Sequence, residues 1–319
     1  MIGLIKMELY RLIHTVSIYV SIAVIVGIVV MTTFAVNVDL RMMEKEQKTQ
    51  GAEQIQQKVT ENESREDETP AESFASGFSD GFISTGEGDF DGEGFTLGIS
   101  APTDESWISG EIVAGDMLMS ELNSCLLVVF IAIFVPLFVN AEQKKGYIKN
   151  IAGQIPRREM LALSKLPAVA VQVFILFSVF CITNLAASAI FFRGRLIFEN
   201  SGALAGALGM QYVLHVAWGC LIALFTMATR STAFAMTTGI LLASGIFQLV
   251  AGYLNRAVHA LIPSADSFDI LQIALTNATA NMTTESTLRQ TAGFLVLAVV
   301  YVLIAAVISG IIYRKRDVR

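Results

Sequence analysis

Six stretches of this chain are each long and apolar enough to cross a lipid bilayer: Ser17–Val36, Leu118–Val139, Leu166–Phe192, Leu208–Thr229, Thr232–Leu254 and Thr291–Tyr313. A hydrocarbon core about 30 Å thick is crossed by about 20 residues of helix. No water is available there to pair with exposed backbone, so the spans are expected to be α-helices that satisfy their own N–H and C=O groups. Composition agrees: over 319 residues the chain is 54% apolar and 16% charged, with mean hydropathy +0.59, against about 45–50% apolar and about 25% charged in soluble domains. The expected fold class is an all-α polytopic membrane protein. The first span lacks a small-residue cleavage site before a soluble domain and is expected to be retained rather than removed as a signal peptide. Only Arg230 and Ser231 separate the fourth and fifth spans. A single helix through both would far exceed a bilayer, so a tight turn is required between them.

Orientation follows from Lys and Arg in short loops, because long acidic segments cross largely regardless of their charge. Lys6 and Arg11 precede span 1; Lys144, Lys145, Lys149, Arg157, Arg158 and Lys165 lie between spans 2 and 3; Arg230 occupies the turn; Arg314, Lys315, Arg316 and Arg319 end the chain. That places 13 of the 22 basic residues on one side, and the termini are expected in the cytoplasm. The net charge of −6 is unevenly spread: Val38 to Met117 holds 19 Asp and Glu against 5 Lys and Arg. The acid is confined to one extracytoplasmic insert.

The expected organisation is an interfacial helix over 1–16, span 1 over 17–36, the acidic insert over 37–117 and span 2 over 118–139. A basic cytoplasmic loop follows over 140–165, then span 3 over 166–192, span 4 over 208–229 and span 5 over 232–254. An outer loop over 255–290, span 6 over 291–313 and a cytoplasmic tail over 314–319 complete it. In the first segment Ile2, Ile5, Leu9, Leu12, Ile13 and Val16 recur at helical spacing, with Lys6, Glu8, Arg11 and His14 on other faces. Within the insert, Arg41–Glu68 reads as a solvated helix and Phe74–Gly98 as loop. The outer loop mixes apolar residues with a break at Pro263-Ser264, as short helices dipping back into the outer leaflet would.

No phosphate loop of the G-x-x-x-x-G-K-[ST] type occurs, nor H-E-x-x-H or G-x-S-x-G, and His14, His215 and His259 are widely separated. The chain is therefore not expected to be an enzyme by itself or to bind a cofactor. Cys125, Cys181 and Cys220 lie in apolar runs and read as small buried residues. Asp89, Asp91, Glu93 and Gly94 match the opening of a calcium loop, but its twelfth position is Ser100, which lacks the bidentate carboxylate. A solvated acidic loop accounts for the same residues.

The loop between spans 2 and 3 carries more pattern than a positive charge marker needs. It runs Glu142-Gln-Lys-Lys-Gly146-Tyr147-Ile148-Lys149-Asn150-Ile151, breaks at Gly153, and continues through Pro156-Arg157-Arg158 to Lys165, with Pro156 suited to the first turn of a helix entering span 3. An acidic residue after span 2, a glycine, a short helix, a proline with basic residues and a lysine before span 3 recur in the permease subunits of type-2 ABC transporters. The chain resembles that family in this loop and also in its six spans, N-terminal interfacial helix, large first outer loop and partly re-entrant last outer loop.

The resemblance implies that the helix after span 2 docks in a groove of a separate ATPase subunit, with Glu142, Lys145, Gly146, Tyr147, Lys149 and Asn150 as contacts. It implies a second permease chain, identical or homologous, in the cell membrane. ATP and magnesium would reside on the ATPase partner. The expected function is export of a hydrophobic or amphipathic cargo such as an antimicrobial peptide, a drug or a lipid-like compound. The alternative is a non-transporting membrane sensor or assembly subunit that binds a cationic peptide through its acidic insert. No nucleic-acid partner is expected. A second set, Glu121, Asn123, Asn184, Gln211, His215 and Gln248, falls in the outer half of four spans. These residues fit either interhelical hydrogen bonding, worth about 0.6 kcal/mol per bond, or the lining of an outer translocation path, since intramembrane polar groups face protein or a hydrated cavity.

Overall fold

The computed structural model describes residues 2–56, 107, 111–144, 159–244, 250–256, 258 and 270–315. Apolar runs become helices as the lipid constraint requires: α1 (Ile2–His14), α2 (Val16–Gln56), α3 (Ala114–Asn123), α4 (Leu126–Lys144), α5 (Glu159–Phe191), α6 (Ser201–Thr229), α7 (Thr232–Ala243), α8 (Ile270–Ile273), α9 (Leu275–Ala280) and α10 (Leu288–Lys315). The only sheet among the described residues is a parallel contact of β1 (Ile112–Val113) with β2 (Leu196–Ile197), which ties the end of the insert to the α5–α6 loop. Among the described residues, α2, α5, α6 and α10 are long and apolar enough to cross a membrane. The pair α3 and α4 makes a fifth if taken as one bent span.

Two expected spans are not single helices. Span 2 is bent by 52° between α3 and α4, where Cys125 takes φ 60°, a left-handed conformation uncommon for a residue with a side chain. The Ser124 hydroxyl donates to the Glu121 carbonyl at 2.7 Å, occupying an acceptor that the interrupted helix leaves over. Span 5 ends early: α7 has 12 residues and stops at Ser244, which turns to ψ 160°, and residues 250–256 are helical again. Twelve residues rise only about 18 Å, so α7 alone does not cross a bilayer.

Elsewhere the boundaries shift outward. α2 continues past Val36 to Gln56 because Leu40–Gln56 is rich in Glu, Gln, Lys and Met, which lose little rotamer freedom in a helix. The solvated helix expected from Arg41 is therefore a continuation of span 1, and its stretch beyond Gln56 lies outside the described residues. α5 begins at Glu159 and α6 at Ser201, each several residues before the expected span. The tight turn between spans 4 and 5 is present: Arg230 caps α6 at φ 56°, and the Ser231 hydroxyl accepts the Phe234 N–H at 3.2 Å to start α7.

α6 lies at the centre, packed against α4, α5, α7, α9 and α10, while α5 also holds α1 and α2. The outward faces are apolar, with Phe174, Ile182, Phe234, Leu241, Val296, Leu303 and Val307 exposed. On a soluble protein such a surface would be an aggregation hazard; it is the exterior expected of a membrane protein.

Two glycines set helix spacing. A Cβ on Gly219 of α6 would fall 2.8 Å from Val173 Cγ2 of α5, and one on Gly239 of α7 would fall 2.8 Å from Ala132 Cβ of α4. Small residues let backbones approach, which is how helices associate when lipid competes for apolar contacts. Gly239, one of a cluster of small residues in span 5 with Ala243, Ser244 and Gly245, thus serves packing within the chain. An Ala132 methyl cannot rotate aside, so Gly239→Ala must move a helix and is expected to destabilise by about 1–3 kcal/mol. Gly206→Ala, with nothing within 4 Å of its added carbon, is the control. Thermal unfolding of the purified chain in detergent measures both, and equal midpoints would remove this account of the α4–α7 contact.

Candidate functional site

Polar chemistry gathers at the two ends of the bundle. At the end carrying α1, Glu8 is 0% exposed and Lys165 is 1% exposed, so neither charge is solvated. Glu8 Oε2 lies 2.9 Å from Arg11 Nη2 and Oε1 lies 3.5 Å from Lys165 Nζ. Arg11 also donates to the Phe138 carbonyl at 3.3 Å and stands over the Phe138 ring at 4.6 Å. One carboxylate thereby joins α1 to the first turns of α5 and, through Arg11, to the last turns of α4. Asn140 of α4 donates in turn to the Arg230 carbonyl in the α6–α7 turn at 3.3 Å. These contacts bracket the segment between α4 and α5.

Glu142 falls in the last turn of α4. Lys145, Gly146, Tyr147, Lys149 and Asn150 lie outside the described residues, as do Gln248, Pro156 and the calcium-loop candidates Asp89, Asp91 and Glu93. Among the described residues no group of His, Cys, Asp and Glu could hold a metal ion, and Cys125, Cys181 and Cys220 are free thiols.

At the other end the expected polar layer separates into two clusters. Gln211 donates to Asn123 Oδ1 at 2.7 Å and to the Thr279 carbonyl at 3.0 Å. His215 Nδ1 hydrogen-bonds the Gln211 carbonyl at 2.7 Å, and the Trp218 indole donates to the Thr279 hydroxyl at 3.2 Å. This cluster joins α3 to α6 and holds α9 against the middle turns of α6. α9, the short helix before α10, therefore packs on α6. The second cluster is Glu121 of α3, Asn184 of α5 and Thr33 of α2. Glu121 is 3% exposed and Asn184 0%.

Sequence reasoning put Asn123, Gln211 and His215 in one layer, and the structure brings them together. Thr279 and Trp218 were missed, since a threonine in a loop and a tryptophan in a span carry no polar signal of their own. Glu8 lies off the apolar stripe of α1 in the sequence; its one signal there is that it is the only acid in the first sixteen residues.

Two outcomes test these clusters. Replacing Gln211 by leucine leaves the Thr279 carbonyl and Asn123 without their donor, a cost of about 1–3 kcal/mol. Faster hydrogen exchange over residues 275–280 is expected, and unchanged exchange would show that Gln211 does not hold α9. For the ion cluster, Glu8→Gln is expected to destabilise by about 3–5 kcal/mol, because it leaves Lys165 buried without its Glu8 counter-charge, and Lys165→Met by less, because Glu8 keeps Arg11 at 2.9 Å. The double variant should lose clearly less than the sum. Strict additivity of the unfolding free energies would mean that the two groups do not interact. No family model matches the chain, and no curated protein or solved structure is significantly similar to it.

Proposed function

We propose that this chain is the membrane-spanning permease subunit of an ATP-driven exporter of the type-2 ABC class. In this reading the chain has six spans, with α7 and the helical residues 250–256 as the two parts of a broken fifth. Both termini lie in the cytoplasm of a cell whose surface membrane holds the protein. Separate ATPase subunits supply ATP and magnesium and bind residues Glu142–Asn150, and a second permease chain completes the path for a hydrophobic or amphipathic cargo.

The observation that supports this most is the brace around the α4–α5 connection. A partner that pushes on a loop moves a membrane bundle only if the loop's two feet are stiff and joined to the rest. Here the α4 foot meets Arg11 and the α6–α7 turn, and the α5 foot meets Glu8. A displacement applied between them is carried into α1, α6 and α7 together rather than bending one helix, since packed interiors respond by switching arrangement and not by continuous yielding. A loop that served only to hold orientation would need its charges and no such brace.

Co-purification tests the reading. A stable ATPase should accompany the tagged chain and be lost when Lys145 and Lys149 are both changed to glutamate. An undiminished complex after replacement of residues 142–153 by a glycine–serine linker would sink the docking model. A chain that captures a cationic peptide through its insert, with no ATPase, would instead favour a sensor.

A further inference from the structure

The brace uses only the inner side of α1. That side is centred on Glu8 and Leu12, both buried, and rests on α5. At about 3.6 residues per turn the opposite arc holds Gly3, Lys6, Tyr10, Ile13 and His14, and all five are exposed. The usual order of a protein surface is reversed here. Glu8 and Arg11 hold each other at 2.9 Å on the inside, while Tyr10 is 66% and Ile13 53% exposed. Tyr10 is fixed in that position: the His14 ring stacks on it with centroids 4.0 Å apart, and His14 Nδ1 donates to the Tyr10 carbonyl at 2.9 Å. An aromatic ring held outward beside an isoleucine is unfavourable against water and calls for a cover.

Two observations say what the cover is. The face does not stop at α1, because Val16, Tyr19 and Val20 at the start of α2 are also exposed. The apolar surface thus runs on into the exterior of a helix long and apolar enough to cross a membrane, which places α1 at the edge of the same bilayer. The face also has one sign of charge. Glu8 is the only acid in the first sixteen residues and is spent inside the fold, so the outward arc carries Lys6 and no carboxylate. Tyrosine is enriched at headgroup depth, and a lysine beside it matches a headgroup of net negative charge rather than a neutral one.

We propose that the outward face of α1 docks on anionic phospholipid, with Lys6 against the headgroup charge and Tyr10 and Ile13 in the boundary between headgroups and acyl chains. The lipid backs α1 from outside while Glu8 ties it to α5 from inside, so lipid charge bears on the brace that flanks the α4–α5 connection. In the orientation proposed above the leaflet concerned is the cytoplasmic one, which carries the anionic lipids. The lipid preference itself needs only that α1 lie at a bilayer surface.

The test puts the photoreactive residue p-benzoylphenylalanine in place of Tyr10 in the full chain, held in nanodiscs of equal phosphatidylglycerol and phosphatidylcholine, and identifies the lipids captured on irradiation by mass spectrometry. The same residue in place of Ile182, which is 68% exposed in the apolar run of α5, is the control. Phosphatidylglycerol should be captured roughly three- to fivefold over phosphatidylcholine at position 10, the factor that one basic residue near an anionic surface supplies, and equally with it at position 182. Lys6→Glu should abolish the preference at position 10. Absence of lipid adducts there would show that α1 is not at the bilayer surface and would overturn the proposal. Equal capture of the two lipids at position 10, an enrichment as large at position 182, or a preference that Lys6→Glu leaves unchanged would do the same. The comparison of the two positions with Lys6 intact decides the matter even where Lys6→Glu fails to fold. None of these outcomes bears on the exporter reading, whose own test is the co-purified ATPase.

Discussion

A helix in hydrocarbon satisfies its own backbone, but its polar side chains and any interruption in the helix must find partners inside the protein. The rest of this structure follows from that shortage of water. Hydroxyls solve it locally: Ser21, Ser164 and Thr226 donate to carbonyls three or four residues back in their own helices. They cost the bundle little and link nothing. Amide and carboxyl side chains are longer and carry several donors or acceptors, so their demands are met only across helices. Gln211, Asn123, Asn140 and Gln172 accordingly sit where helices touch, Gln172 donating to the Phe134 carbonyl at 3.2 Å.

The two ends of the bundle meet the same demand with different chemistry. Around α1 the partners are charges, and a buried ion pair is rigid because separating it strands a charge away from water. Around α9 the partners are neutral amides, an indole and a hydroxyl, whose individual bonds are worth about 1 kcal/mol. An end held by ions keeps its geometry under load, whereas an end held by several modest bonds can exchange them. That asymmetry is what the proposed exporter would need, driven from one face and opening at the other.

How much of this was legible in the sequence depended on whether the signal was a run or a meeting. The cores of α5, α6 and α10 were readable because an uninterrupted apolar stretch of membrane length has few other solutions, and the α6–α7 turn because two helices of that combined length could not be one. The break at Cys125 was not, since a cysteine in an apolar run carries no turn signal; the one at Ser244 had such a signal in the Ser244-Gly245 pair, whose small residues also fit close helix packing. Gln211 and Asn123 were placed together by depth alone, which periodicity supplies. Glu8 and Lys165 were not, because each reads alone as a surface charge near a helix end, and only packing of α1 on α5 removes them from water.

Glu8 and Glu121 are the same side chain at nearly the same burial, 0% and 3% exposed, yet the fold treats them oppositely. Glu8 receives two cations from elements on either side of it. Glu121 receives the amide of Asn184 and the hydroxyl of Thr33, which donates to the Val29 carbonyl at 2.8 Å and stands 3.5 Å from Glu121 Oε1. A chain able to bury Lys165 beside one glutamate had the means to place a cation beside the other. Neutral hydrogen-bonding groups are supplied instead, so this carboxyl is held without an ion pair beside the bend between α3 and α4, the joint of the bundle at which a span is already broken.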